Sequence, residues 1–548
     1  MLKKFLHIIL SIFAFLSIGI SYAQKSKTIF THSDSLIGLL TPPRTCYDVT
    51  SYDLNLRITP AEKYIIGYNE IHFKIVDEFD KMQIDLHANL QIDSIMYKGK
   101  RLPYQRDQNS VFIYFNNKFV KGVTSSIKFY YSGNPKESTN PPWDGGFVWQ
   151  KDSLGYDWVG VACEGIGASV WWPCKDHISD EPDSMKVNIE CPVHLYCVSN
   201  GNIKKRRDLD DGYARHEWII NYPINNYDVT VNIGRYALFN DKYIALDGDS
   251  LNLNYYVLKY NLDKAKKHFK QVNKMLQCYE KFFGKYPFWK DGFGMVEAPF
   301  WGMEHQEAIA YGNKFENNAF GFDYIIVHES AHEYWGNAIT CKDFGDLWIH
   351  EAFATYSEVI FIENTQGKAA AQKYLDGMLA KIRNKIPIQG PNNVNYHNFE
   401  DSDMYYKGAW MLHTLRSVID NDMLWYSILY SLAREFRFKS VDSKMIIDYF
   451  NKRTVLDLDN IFDQYLKNAE IPTLVYKIKQ KGTNVTIKYR WKANENWFKM
   501  PIRVSFGENV DFKIYPTSSW NTQTFREKDI DNFKIRTDLY YVNTERIH

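Results

Sequence analysis

From Cys46 onward apolar and polar residues alternate. Tyr52, Leu54, Leu56 and Ile58 fall on one side of an extended chain, Asp53, Asn55 and Arg57 on the other, and Ile71, Phe73 and Ile75 repeat the device. Period two with turn residues between the runs predicts antiparallel strands with one wet face, continuing to about VTVNIGRYALF, Val229 to Phe239. The period then changes. LDKAKKHFKQVNKMLQCYEKFFG has helical spacing and ends in Gly284, with Pro287 beyond it as a stop signal. Amphipathic stretches of helix length dominate to about Ala469. After Ile471 and Pro472 the alternation returns, with Val485, Ile487, Tyr489 and Trp491 facing one way. The pattern predicts a multidomain α+β protein: a β domain over 24–240, a mainly helical domain over 241–470 and a small β-sandwich-like domain over 471–548.

At 548 residues the chain is too long for one core, which agrees with that division. Lys plus Arg (66) and Asp plus Glu (65) nearly cancel, removing the general argument for a nucleic-acid partner. The first residues, MLKKFLHIILSIFAFLSIGISYAQ, place two lysines before a short apolar run and a small-x-small site ending at Ala23. This is the pattern of a secretory signal peptide over 1–23, so the mature chain is expected outside the cytoplasm, periplasmic or secreted. No later stretch is long and apolar enough to span a bilayer. The seven cysteines are odd in number and contain no C-x-x-C pair, so they announce neither a disulfide framework nor a thiolate zinc site. Cys191 and Cys197 lie beyond disulfide reach if their segment is one strand.

The chemistry is concentrated in VHESAHEYWGN, Val327 to Asn337. On a helix, His328 and His332 stack on one face and can aim nitrogens at one ion, at about 2.0–2.1 Å for zinc. Glu329 then sits beside a water that zinc acidifies to a pKa of about 7, and takes its proton as the water attacks a carbonyl. Two histidines are only moderately specific. A third ligand separates a zinc site from a coincidence, and Glu351 supplies one in the first turns of DLWIHEAFATYSEVIFIENTQG, for which Asp346 is the expected N-cap. Three protein ligands and one open position describe a catalytic zinc, one per chain. Glu358, further along, has two readings: orienting a ligand, or lying at the surface.

With H-E-x-x-H, eighteen residues and then Glu, the WGN after the first element and W-x-x-E-x-F-A-T-Y around Glu351, the chain closely resembles the aminopeptidase N family of gluzincin metallopeptidases, which also contains leukotriene hydrolase. FFGKYP, FWGMEHQ, YYKGAWML and FDQYL before Ile471-Pro472 extend the resemblance over most of the mature chain. It implies a saddle-like N-terminal sheet domain, a thermolysin-like catalytic domain and a zinc-dependent aminopeptidase acting on peptides or protein N-termini. It also implies residue roles: His328, His332 and Glu351 as ligands, Glu329 as general base, and Tyr405 steadying the oxyanion, with Tyr406 the alternative in that register. Glu304 and Glu164, the latter in CEGIGASVWWPC, would hold the substrate amine, and Trp301, Gly302 and Met303 would lie along the substrate.

The departures from the family are as specific as the matches. Trp301 replaces the usual glycine and His305 the usual asparagine; either is expected to reshape the first pocket or limit approach. Ala162 stands where many members have glutamine, and Trp171 with Trp172 read as packing aromatics. The chain ends after the small β domain where many relatives add a helical one, which implies a more open site. Three rivals share the motif: a zinc endopeptidase, marked by loss of the amine anchors; a silent peptide-binding scaffold, marked by a broken zinc set; and a hydrolase acting on another amide or an epoxide, which shares the metal chemistry and which motifs alone do not separate.

Overall fold

The computed structural model describes residues 30–396, 401–507, 511–526 and 530–548; the signal-like segment lies outside them. The N-terminal part is built from sheets. The strand Tyr47–Thr59 pairs antiparallel with Tyr64–Ile75 and parallel with Ser184–Pro192 at the centre of an eight-stranded sheet. Tyr52, Leu54, Leu56 and Ile58 are buried as the alternation predicts. Asn55, expected on the wet side, is also buried, because Arg215 donates to its side-chain oxygen at 2.6 Å. Four- and three-stranded sheets complete this domain; in the former, Asp157–Ala162 is an interior strand that ends two residues before Glu164.

A five-stranded mixed sheet follows, in which Gly302–Met303 is the edge strand, antiparallel to Ile309–Tyr311. Helices then dominate. The stretch expected as one helix from Leu262 is two, Leu262–His268 and Gln271–Phe283, the second ending at Gly284. The break falls at Phe269, whose buried ring packs on Tyr255, Tyr311 and Phe315. Two sheets of four and three strands form the C-terminal domain, with Val485, Ile487, Tyr489 and Trp491 all inside. It docks on the helices: Arg503 pairs with Asp420 at 2.6 Å and Tyr540 donates to the Ser417 carbonyl at 3.2 Å.

All seven cysteines are buried thiols. The premise that separated Cys191 from Cys197 does not hold, since one strand ends at Pro192 and another begins at Tyr196 with a turn between them. Among the described residues no helix is long and apolar enough to cross a membrane.

Candidate active site

The helix Tyr324–His332 starts at Asp323, whose carboxylate accepts from the Ile325 amide at 3.0 Å. It must stop just past His332, because Trp335 and Gly336 are non-helical and Gly336 has φ 141°, where a Cβ is strained. The resulting turn brings the Trp335 carbonyl back to accept from His332 Nδ1 at 3.0 Å. His328 Nδ1 donates to Glu358 Oε1 at 2.7 Å, and Glu358, 1% exposed, is held in turn by the Tyr374 hydroxyl. Glu358 therefore orients a ligand rather than lying at the surface. With both Nδ1 atoms committed as donors, both Nε2 atoms present lone pairs to one point, 3.3 Å apart.

Glu351 meets them from the first turn of Trp348–Gln366, its Oε2 at 3.5 Å from each Nε2. Asp346 is not the cap of this helix. Leu347 occupies that position, and Asp346 instead accepts from Ser443 and Gln389, a tertiary use that outcompetes the local one. Glu351 Oε2 is buried with no donor. Burial alone would raise its carboxyl; positive charge at this point, borne by His332 foremost and then His328 when those rings are protonated, overcomes that and holds it well below the usual carboxylate range. Two fixed lone pairs and one bare carboxylate oxygen fit a zinc with three protein ligands and an open position. Glu358→Ala should weaken zinc binding about 10- to 100-fold, read by competition with a chromogenic chelator, with the fold intact.

The helix Asp403–Ile419 lies directly on the Glu351 helix because position 408 is glycine: a Cβ there would sit 2.6 Å from the Ala352 Cβ. Lys407 fixes its depth, donating to the Asn468 and Ala469 carbonyls at 2.8 Å. Tyr405 consequently lines the cleft, its ring 6.2 Å from that of His328, while the Tyr406 hydroxyl accepts from Lys381 at 3.1 Å.

At the other end of the cleft, Glu304 follows the edge strand. Its carboxylate accepts from the Tyr227 hydroxyl at 3.2 Å, and Asn337 of the WGN turn holds its backbone carbonyl at 2.8 Å. Glu304, Glu329 and His332 bring ligand atoms within 4.8 Å of one another. Glu164 lines the same cleft from the N-terminal domain with Oε1 unpartnered. Burial raises both carboxyls above their usual range, and for Glu164 the neighbouring Glu304 adds to it. Burial also lifts Glu329 to about 7 against the opposing imidazoles. No Lys or Arg among the described residues lines this cleft.

Gly302 passes so close over the first helix that a Cβ would lie 2.7 Å from Glu329 Oε1. Met303 and Trp301 also line the cleft. His305 does not: it is fully buried edge-on to Phe300, and burial pushes its imidazole down to about 3. Only one of the two departures in this segment thus faces the cleft. Ala162 is buried away from it, and Trp171 and Trp172 are core residues. Sequence reasoning missed Tyr324, Trp143 and Tyr227. Tyr324 was within reach, four residues before His328 on the same helical face; the other two approach through the fold.

An H-E-x-x-H helix closed by a glutamate from the next helix, beside a sheet whose edge strand borders the cleft, is the donor arrangement of a catalytic zinc site with one open position. Residues 260–465 match the Peptidase family M1 domain. The chain is 23% identical to aminopeptidase N of Haemophilus influenzae over 398 residues, 67% of this chain and 44% of that one. It is 21% identical to human endoplasmic reticulum aminopeptidase 1 over 421 residues, 72% of this chain and 43% of that one. It thus spans under half the length of these relatives. An M1 zinc metallopeptidase from Deinococcus radiodurans has the same fold, with TM-score 0.68 and 19% identity over 78% of this chain and 96% of that one. Over 260–465 the chain thus carries the match to the Peptidase family M1 domain and is similar to aminopeptidase N and its relatives, and its His328, His332 and Glu351 donors fit one catalytic zinc.

Proposed function

We propose that this protein is a zinc-dependent aminopeptidase that removes N-terminal residues from peptides. The observation that carries the reading is the pair of carboxylates, buried Glu304 and half-buried Glu164 with its unpartnered Oε1, beside the ligand cluster in a cleft that no Lys or Arg among the described residues lines. Two like charges in a low-dielectric cleft call for a cation, and a substrate ammonium provides it. A carboxylate fixed beside the catalytic group measures one residue from the free amine, leaving the first peptide bond over Glu329.

His328, His332 and Glu351 would hold the zinc, which supplies a Lewis acid that polarises the carbonyl and lowers the pKa of water to about 7. Glu329 takes the proton of the attacking water and returns it to the departing amide nitrogen. Tyr405 donates its hydroxyl hydrogen to the carbonyl oxygen as negative charge develops there, acting on the transition state more than the ground state. Tyr405→Phe should therefore lower kcat by about 10²- to 10³-fold with little change in KM, while Tyr406→Phe stays within about twofold of wild type in steady-state kinetics.

The test is a panel of fluorogenic aminoacyl amides, each with a free and an acetylated amine, on zinc-loaded protein. Cleavage of the free-amine forms alone supports the reading; equal cleavage of acetylated forms or internal peptides turns the site into an endopeptidase. A structural neighbour from Deinococcus radiodurans was solved with a Tyr-Ser-Ala substrate, which supports short free-amine peptides as the class to try first. The N-terminal pattern further supports an exported protein, periplasmic or secreted, whose mature N-terminus would be Gln24 by Edman sequencing.

A further inference from the structure

The cleft has a direction that can be read from one helix face. Tyr324, His328 and His332 follow one another at four-residue intervals, so eight residues at about 1.5 Å each separate the two ends by about 12 Å. Glu304 stands at the His332 end. Trp301 stands at the other: its indole stacks on Tyr324 at 5.4 Å and 17°, and Tyr324 stacks on His328 at 5.0 Å and 19°. Gly302, between Trp301 and Glu304, passes over Glu329. A peptide with its amine at Glu304 and its first amide beside Glu329 must therefore run toward Trp301 with the residue that follows the cut.

Trp301 is built to receive that residue. The indole Nε1 donates to Asn313 Oδ1 at 3.2 Å, and Asn313 is itself tied to Asp323 at 2.8 Å, so the ring is held in orientation while half of it stays exposed. Trp143, also half exposed, enters the same cleft from the N-terminal domain. A fixed, exposed aromatic face beside an edge strand offers stacking to a planar side chain at low entropic cost, while the strand aligns the backbone. We infer that Trp301, with Tyr324 behind it, forms a subsite for the second residue of the substrate and selects peptides with an aromatic residue there; this rests on the amine-anchored reading above.

The experiment compares kcat/KM for Ala-Phe-Ala, Ala-Ala-Ala and alaninamide, with N-acetyl-Ala-Phe-Ala as control, in wild type, Trp301→Ala and Trp301→Phe. The expected wild-type preference for Phe over Ala at the second position is about tenfold, carried mainly by KM. Trp301→Ala should reduce it to about twofold, and Trp301→Phe should restore most of it. Alaninamide, which has no second residue, reports any general loss in each variant, and the Phe-over-Ala ratio is read independently of it. A flat wild-type profile, or the same preference in Trp301→Ala, overturns the subsite while leaving the aminopeptidase reading standing. Cleavage of the acetylated peptide as fast as the free one, or no turnover on any of them, removes the amine register itself and the subsite with it.

Discussion

Glu329→Gln is expected to bind one zinc per chain and to lose about 10³-fold or more in kcat. Glutamine keeps the volume that the close passage of Gly302 demands, since the backbone there leaves no room for a larger group at Glu329 Oε1. It cannot accept the proton, and general acid–base catalysis contributes about 10²- to 10⁴-fold. Metal content is the decisive second readout. Besides His328, His332 and Glu351, a second set of buried donors, Glu304, Glu329 and His332, converges within the same 4.8 Å limit. The first set alone has both imidazole lone pairs fixed by Nδ1 hydrogen bonds and a carboxylate oxygen left bare. Zinc loss in Glu329→Gln with retention in Glu351→Gln would assign the metal to the second set and end the general-base role. Full activity in Glu329→Gln would end it as well.

What the sequence made legible was local. His328, His332 and Tyr324 share a face through helical period alone, and the burial of Leu54, Leu56, Val485 and Ile487 follows from period two. Asp346 shows where local reading fails: a good capping residue was taken by Ser443, almost a hundred positions away, because a buried serine and a half-buried glutamine needed an acceptor. Trp301 and His305 could not be told apart from sequence, since the strand between them is two residues long and carries no alternation to assign faces. Trp143 and Glu164 reach the cleft from another domain, and no periodicity records a contact of that range. The WGN turn lay between these cases. Its residues were recognisable, but their purpose, returning a carbonyl to His332 and an amide to the Glu304 backbone, exists only in three dimensions.

Glu304→Ala should lower kcat/KM on free-amine substrates by about 100-fold or more while leaving any cleavage of acetylated peptides within about threefold. The magnitude follows from removing one partner of a buried charge pair, which costs about 3–5 kcal/mol when the other charge is left without compensation. In this cleft Glu164 remains, so the ammonium retains one carboxylate and the loss belongs near the lower end. Glu164→Ala should be weaker still on its own, because Glu304 carries the Tyr227 hydrogen bond and the Asn337-held backbone that fix its position. The double variant tests the pairing directly. If both carboxylates grip one ammonium, the two losses are non-additive and free-amine selectivity disappears only when both are gone. Equal losses on free and acetylated substrates would mean that Glu304 positions the edge strand rather than the amine. Zinc content must stay at one per chain throughout, since neither residue belongs to the set formed by His328, His332 and Glu351.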